Sequence, residues 1–449
     1  MGEQTNIGSC GKDPLVMNEL ADSSIRVAET TQCSTYSSSS LGRHENSEVF
    51  AALLASRNKK TIQLDPTKRR LFLIFHGRFP SEKAAALFAA KSAEAFAASG
   101  QEVVLLVPRR LGRFKESAYD FYGLERNFKV VFLPTLDLFA LPFIKRFAFG
   151  LSFIFFSVFS FSYLIFRARR EDIIYSNESL PLVLLSFAFP NTVYEIHDFP
   201  RNNFYYRVVF RRVTYFVATN HWKKRKLQEI FNIPGERIIT EQNAVSLEDF
   251  SDLLSKFEAR KILNLSSDTK LICYVGMLRT MGMEKGMDIL LKAVKSITGF
   301  KLMVVGGNYE DLAFYKNVAE EYGITDRVIF AGFVPYKKVA LYLSASDILV
   351  APFPKNDHYE FYMSPMKIFE YMASRRPIVT TDLGSIREIL DDDTAVFVRP
   401  DDQENLGQGI LKLLNDEELG VKIADRAYRK VLQHTWAKRA ERIIKFLDV

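Results

Sequence analysis

Ser364-Pro365-Met366-Lys367-Ile368-Phe369-Glu370-Tyr371-Met372-Ala373, followed by Arg376-Pro377-Ile378-Val379, reads as a helix leading into a buried strand. Pro365 suits the first helical position, where its missing N–H costs nothing. The next amides are then free at the positive end of the helix dipole, and Lys367 adds a charge within the first turn. Such a site suits a diphosphate. Glu370 falls near the same helix face, where a carboxylate can take two hydroxyls of a ribose. Taken alone, Lys367 and Glu370 would be only a solvated helix pair; the whole string gives them meaning.

On both sides of this stretch, apolar strand-like runs alternate with helical patterns. Ahead of it come Leu271 to Val275, a helix from Lys285 to Val294, Lys301 to Val305, a helix from Leu312 to Tyr322, Val328 to Phe330 and Ile348 to Ala351. Behind it come Ile378 to Thr381, Ala395 to Val398 and helical patterns at Asp402 to Leu414, Glu417 to Leu432 and Trp436 to Leu447. The same alternation runs from Arg70 to Phe231, with a polar pause over Asn243 to Ser267. Alternating strand and helix means βαβ units on a parallel sheet. The expected fold is α/β, two doubly wound Rossmann-like domains facing a central cleft. The boundaries are a disordered, Ser- and Thr-rich tail over residues 1–66, a first domain over 67–245, a second over 246–432, and a closing helix in 433–449 that packs back toward the first domain.

At 449 residues, 48% hydrophobic and 25% charged, the chain is too long for one small module and too apolar for a disordered one. Cys10, Cys33 and Cys273 are too few and scattered for a disulfide framework or a Cys-based zinc site, so a reducing, cytoplasmic setting is expected. The first twenty residues lack the pattern of a secretory signal. Net charge is +7, and residues 141–240 carry as much by themselves, fourteen basic against seven acidic.

Within that basic segment, Phe147 to Phe166 is uncharged and bracketed by Lys145, Arg146, Arg167, Arg169 and Arg170, long enough to span a bilayer. A spanning helix there would place strands of one sheet on opposite sides of a membrane. The remaining expectations are a crossover helix with one face in the core, or a helix lying in a membrane surface with its basic flanks at the headgroups.

Two more loops follow strands at the edge where open α/β sheets hold ligands. His76-Gly77-Arg78 ends the first strand, and Gly77 allows close backbone approach to phosphate or sugar. Glu195-Ile196-His197-Asp198 ends another. Asp391-Asp392-Asp393 has the look of a metal motif but sits between helix and strand, where Asp serves turn chemistry. His76, His221 and His358 lack ligand spacing, so no metal is expected.

With these residues in hand, the chain resembles the retaining glycosyltransferases of family four, which have the GT-B fold. Tyr274-Val275-Gly276-Met277-Leu278 leading to Glu284-Lys285-Gly286, Gly332-Phe333-Val334-Pro335, Ser346 to Pro352, and Thr435 to Ala440 are similar to that family as well. The resemblance implies that Lys285, His197 and Glu370 carry catalysis. It further implies that Gly77, Gly276, Arg279, Tyr362, Met363, Ser364, Pro365 and Lys367 hold the donor. It departs where the family has a glutamate eight residues before Glu370, since Tyr362 stands there and Glu360 is two residues out of step. It departs again at Met277, where the family has an arginine, so Arg279 is expected to substitute.

The implied activity is transfer of a sugar from a nucleotide diphosphate donor, without metal or cofactor, to a lipid-linked or polysaccharide acceptor in cell-envelope glycan synthesis. The basic first domain would bind the acceptor. Lys145, Arg146, Arg167, Arg169 and Arg170 would meet an anionic membrane at its inner face, with no nucleic-acid partner. A nucleotide-sugar epimerase of the same fold and a noncatalytic nucleotide-sugar binding subunit are the alternatives.

Overall fold

The computed structural model describes residues 68–110, 116–136, 145–280 and 282–448; the tail expected over 1–66 lies outside them. Seven parallel strands make the first sheet: β1 (Arg70–Ile74), β2 (Glu102–Pro108), β3 (Lys129–Leu133), β4 (Ile173–Ser176), β5 (Thr192–Ile196), β6 (Tyr215–Ala218) and β7 (Ile238–Thr240). Their order is β3-β2-β1-β4-β5-β6-β7, so the winding reverses between β1 and β4. Val103 to Val107 of β2 are buried without a break, because helices cover both faces of a parallel sheet.

The second sheet repeats the plan with β8 (Lys270–Val275), β11 (Phe300–Val305), β12 (Val328–Gly332), β13 (Ile348–Ala351), β14 (Ile378–Thr381) and β15 (Val396–Val398). Its order is β12-β11-β8-β13-β14-β15, with the reversal between β8 and β13. A short antiparallel hairpin, β9 (Arg279–Thr280) and β10 (Met283–Glu284), follows β8. In both sheets the crevice at the reversal is where a ligand fits, outside the carboxyl ends of the strands.

The polar pause at Asn243 to Ser267 is not a bare linker. It holds the helix Lys256–Ile262, opened by a capping box in which Ser255 and Glu258 satisfy each other's backbone N–H groups. Ser-x-x-Glu was the available signal. The last helix, Trp436–Leu447, joins the core of the first domain through Trp436, Ala440, Ile443, Ile444 and Leu447, beside Phe88 and Phe96 of the helix Ala84–Ala98. A bridge between Val245 and Thr435 marks where the chain returns.

The apolar stretch forms one helix, Lys145–Arg167. From Ala148 to Arg167 it is long and apolar enough to cross a membrane, but only 28% of that window is buried in the protein. β3 before it and β4 after it belong to the same sheet, so it serves as a crossover. Its inward face mixes serines with apolar residues, and its outward face is large and apolar. Ala148, Ser152, Phe156, Ser160 and Leu164, spaced by four, face inward together with Ser157, while Phe149, Ile154, Phe155, Val158, Phe159, Ile165 and Phe166 are exposed. Small inward residues let the helix lie close on the sheet, and Ser157 Oγ returns its proton to Phe153 O at 2.7 Å.

One expected headgroup residue is corrected here. Arg169 turns inward, donating to Lys68 O and standing 3.1 Å from Glu171 and 3.5 Å from Asp172. Its guanidinium serves the buried carboxylate of Asp172, which also takes Arg70. Arg167 and Arg170 remain exposed.

Candidate functional site

The second domain builds a cationic pocket at its reversal point. Gly276, just past β8, has φ of +134°, and a Cβ there would stand 3.2 Å from Lys367 Cε and Nζ. Gly286 ahead of the helix Met287–Ser296 has φ of +82°, and a Cβ would strike Pro352 O at 1.6 Å. Both positions require glycine, one for backbone shape and the other for approach as well.

Lys367 enters this pocket from the first turn of the helix Met366–Ala373, with Pro365 at the N-cap, one position earlier than the sequence suggested. Its ammonium lies out of solvent contact, has no hydrogen-bond partner, and sits 3.8 Å from the centroid of the Tyr274 ring and 5.2 Å from that of Phe353. Burial, and then repulsion from Lys285, hold it well below the ordinary lysine range, with Glu370 pulling the other way. Burial likewise lowers Lys285 to about 8. Burial raises the Glu370 carboxyl to about 7, although the charge of Lys367 opposes that. Lys285 and Glu370 thus both act on the buried Lys367 ammonium, in opposite directions.

Arg279 is not part of this cluster. It stands 3.1 Å from Glu284 and 3.9 Å from Asp311, with its guanidinium over Phe314 at 4.2 Å. The three aspartates are in a turn and each meets a cation: Asp391 with Lys430, Asp392 with Arg387 and Asp393 with Arg426.

On the first domain, His197 follows β5 at the cleft. Its Nε2 lies 3.4 Å from Glu195 Oε1, and the Phe88 ring meets the imidazole edge-on at 4.6 Å. Glu195 also takes the Tyr175 hydroxyl at 2.7 Å and the Arg439 guanidinium. Burial would raise Glu195, but Arg439 and its other partners bring it to about 2. Lys223, fully buried, donates to Ile196 O at 2.8 Å, to His197 O and to Thr219 Oγ1, which fixes the backbone at the strand end. At β1, a Cβ on Gly77 would fall within 2.2 Å of the Phe75 ring, so that glycine is needed for close packing. His76 beside it is buried, takes Arg110 Nη2 at 2.8 Å, and is lowered to about 4 by burial and then by that guanidinium.

The two domains meet around the segment that departs from the family pattern. Asn220 Nδ2 donates to Phe361 O at 2.7 Å, and Asn243 N donates to Ser364 Oγ at 3.0 Å. Glu388 of the second domain accepts the His221 and Trp222 amides at 2.6 and 3.1 Å, capping the helix His221–Phe231. Tyr362 packs on Phe199 and Trp222, while Met363 is buried. Glu360, the out-of-step glutamate, accepts the Gly384 amide at 3.1 Å. His358 reaches across to Asp198 at 3.3 Å.

Sequence reasoning missed Arg439, Tyr175, Lys223 and Glu388. Glu195 and His197 were legible as neighbours, because residues two apart on a strand share a face. Arg439 lies in the stretch Thr435 to Ala440 that resembles the family, but nothing local pairs it with Glu195.

Residues 269–416 match the model of the family described as glycosyl transferases group 1. An uncharacterized glycosyltransferase of Methanocaldococcus jannaschii is 24% identical over 235 residues, half of this chain and 57% of that protein. A Bacillus subtilis protein whose name places it in teichuronic acid biosynthesis is 28% identical over 177 residues, 39% of this chain and 41% of that one. The chain therefore spans about half the length of these curated relatives. Among solved structures, sucrose-phosphate synthase from Thermosynechococcus elongatus superposes with a TM-score of 0.70 at 18% identity, over 85% of this chain and 98% of that one. The HepE protein of Anabaena in complex with UDP-glucose superposes with a TM-score of 0.64 at 15% identity, over 85% of this chain and 100% of that one. The two-domain fold expected from the sequence is the GT-B fold of these proteins.

Proposed function

We propose that this chain, whose residues 269–416 match the model of the group 1 glycosyl transferases, moves a sugar from a nucleoside diphosphate donor to an acceptor held by the first domain. The carrying observation is the Lys367 ammonium, shut off from solvent without a hydrogen-bond partner and repelled by Lys285. A buried amine in that state has no hydrogen-bonded anion, and a diphosphate supplies one. Glu370 takes the ribose hydroxyls, and the backbone at Gly276 lets the phosphates approach.

Transfer proceeds with retention. The acceptor oxygen bonds to the anomeric carbon as the bond to the diphosphate oxygen breaks, and the acceptor proton leaves on the departing diphosphate. Lys285 and Lys367 stabilise the charge gathering there, as preorganised cations do in a water-poor site. His197 positions the sugar. Lysines rather than a metal ion meet the diphosphate in this reading.

The acceptor reading is a lipid-linked glycan intermediate, met at the cytoplasmic face of a membrane. It is supported by the helix Lys145–Arg167, whose outward residues are large and apolar and whose end carries exposed Arg167 and Arg170. An exposed apolar stripe of that length on a soluble surface marks an interaction site. Calorimetry with a panel of nucleoside diphosphates tests the donor half: one of them should bind, and binding by none would overturn it. Incubating the chain with labelled nucleotide sugars and membrane lipid tests transfer. Label should enter the lipid fraction; label epimerised without acceptor would favour an epimerase instead.

A further inference from the structure

The group behind His197 comes from the other end of the chain. Arg439, in the last helix, is 1% exposed and ranks first in volume among the fully buried side chains described. Its Nη2 donates to Glu195 Oε1 and its Nε to Gln242 O at 2.9 Å. Glu195 is wholly buried and takes the Tyr175 hydroxyl on its other oxygen. Phe88 closes the arrangement, with the Arg439 guanidinium 5.1 Å from its ring and the His197 imidazole against its face or edge at 4.6 Å.

Burying an ion pair costs desolvation that a well-packed apolar pair avoids, so stability does not account for it. Orientation does. Burial alone would neutralise Glu195; Arg439 keeps it ionised, and an ionised carboxylate can hold a proton on the nearby Nε2 of His197. Nε2 is out of solvent contact and makes no hydrogen bond, with Glu195 Oε1 3.4 Å away, so the carboxylate acts on it through its charge and a proton held there leaves Nδ1 as the acceptor. The same carboxylate fixes the ring plane.

We propose that Arg439 and Glu195 are positioning residues that set the orientation and tautomer of His197, so that the last helix completes the ligand site of the first domain. The purpose assigned to His197 rests on the proposed donor reading; the relay itself rests on the contacts. Other charged groups nearby are accounted for: Asp198 faces His358, and Lys223 is spent on the carbonyls of Ile196 and His197.

The full chain has six histidines, so selective labelling of their Cε1 positions gives a tractable spectrum, and His197→Gln assigns the signal. Titrations are compared for the native chain, Glu195→Gln and Arg439→Gln. Removing the carboxylate should lower the His197 midpoint, and removing the arginine should raise it, because the carboxylate then answers to the imidazole alone. Each shift should be about one pH unit. Opposite shifts show that the charges of the pair reach the ring; the tautomer itself is read from the two ring 15N shifts, which should place the proton on Nε2 in the native chain and lose that preference in Glu195→Gln, as a merely structural pair would not. Arg439→Lys should restore the native midpoint in part. Should either glutamine variant fail to fold, Tyr175→Phe removes one hydroxyl from Glu195 and should give a smaller upward shift. Midpoints that coincide in native chain, Glu195→Gln and Tyr175→Phe would overturn the relay. UDP calorimetry on the same chains separates the two proposals: no binding to the native chain sinks the donor reading and leaves the titrations standing, whereas normal binding with unmoved midpoints sinks the relay alone.

Discussion

Nucleotide binding should move protons, and the direction should reverse with pH. In the free protein burial holds Lys285 at about 8 instead of 10.5 and Glu370 at about 7 instead of 4.5. A diphosphate beside Lys285 favours its charged form, and ribose hydroxyls donating to Glu370 favour the carboxylate. Lys285 should therefore take up roughly half a proton on binding at pH 8 and about nine-tenths at pH 9. Glu370 should release about nine-tenths of a proton at pH 6 and roughly half at pH 7. These two contributions cancel near pH 7.5, at about a quarter of a proton each, and Lys367, held well below the ordinary lysine range, adds uptake of its own when a diphosphate neutralises it.

Calorimetry of UDP binding, repeated at each pH in two buffers of different ionisation enthalpy, reads the net number. The nucleotide's own phosphate proton is common to all chains and drops out of differences between them. Lys285→Met should remove the Lys285 share of the uptake at pH 9, leaving that of Lys367, and weaken binding by about 2 to 3 kcal/mol, roughly 30- to 150-fold in Kd. The same variant should be more stable. A lysine whose folded value is depressed lets the unfolded chain bind more protons between about pH 8 and 10.5, so the native protein gains stability as pH rises through that window and bears the full cost below it. That cost is about 3 kcal/mol at pH 7. Native-like uptake at pH 9 together with native Kd in Lys285→Met would refute the assignment of this pocket to a diphosphate.

Glu370→Gln should weaken UDP binding by about 1 to 3 kcal/mol. Because its folded value of about 7 lies above 4.5, stability is lost as pH rises through that range. The variant should therefore melt higher than the native chain at pH 8 and alike at pH 4.5; calorimetric melting that shows no pH dependence would remove Glu370 from its buried setting. The full chain should sediment with anionic liposomes at low salt and be released by high salt or alkaline carbonate. Arg167→Gln with Arg170→Gln should lose about 2 kcal/mol of that binding; no sedimentation with any vesicle would point to a soluble acceptor. Chelation with EDTA should leave transfer intact, and complete loss restored by magnesium would overturn the metal-free reading.

The layout of both sheets was legible because parallel strands buried on two faces read as unbroken apolar runs such as Val103 to Val107 and Ile348 to Ala351. The lysine pair was legible too, since Lys367 and Glu370 lie on one helical turn and Gly276 and Gly286 flag the close approaches around them. The partners of Arg279 were not legible, because spacing along a chain says nothing of which way a hairpin aims its side chains; β9 and β10 turn it toward Glu284 and Asp311. Arg439 could not have been found, because its partner Glu195 is 244 residues away and no local pattern records a contact that distant.

The helix Lys145–Arg167 was ambiguous for a different reason. Its apolar residues run all round it, so periodicity cannot tell inside from outside. What decides is packing: the serines at 152, 157 and 160 go in and the phenylalanines at 149, 155, 159 and 166 stay out. A chain selected only to be stable in water would place them the other way. The lysine pair and the buried Arg439–Glu195 pair are also costly choices, the first through repulsion and the second through desolvation. Departures from local stability collect at functional sites, where a ligand or a reaction compensates them. Here one departure fits a diphosphate, one stands behind His197, and one fits an apolar surface. Together they favour a transferase that draws its donor from water and its acceptor from lipid, over an epimerase, which would have no use for the third.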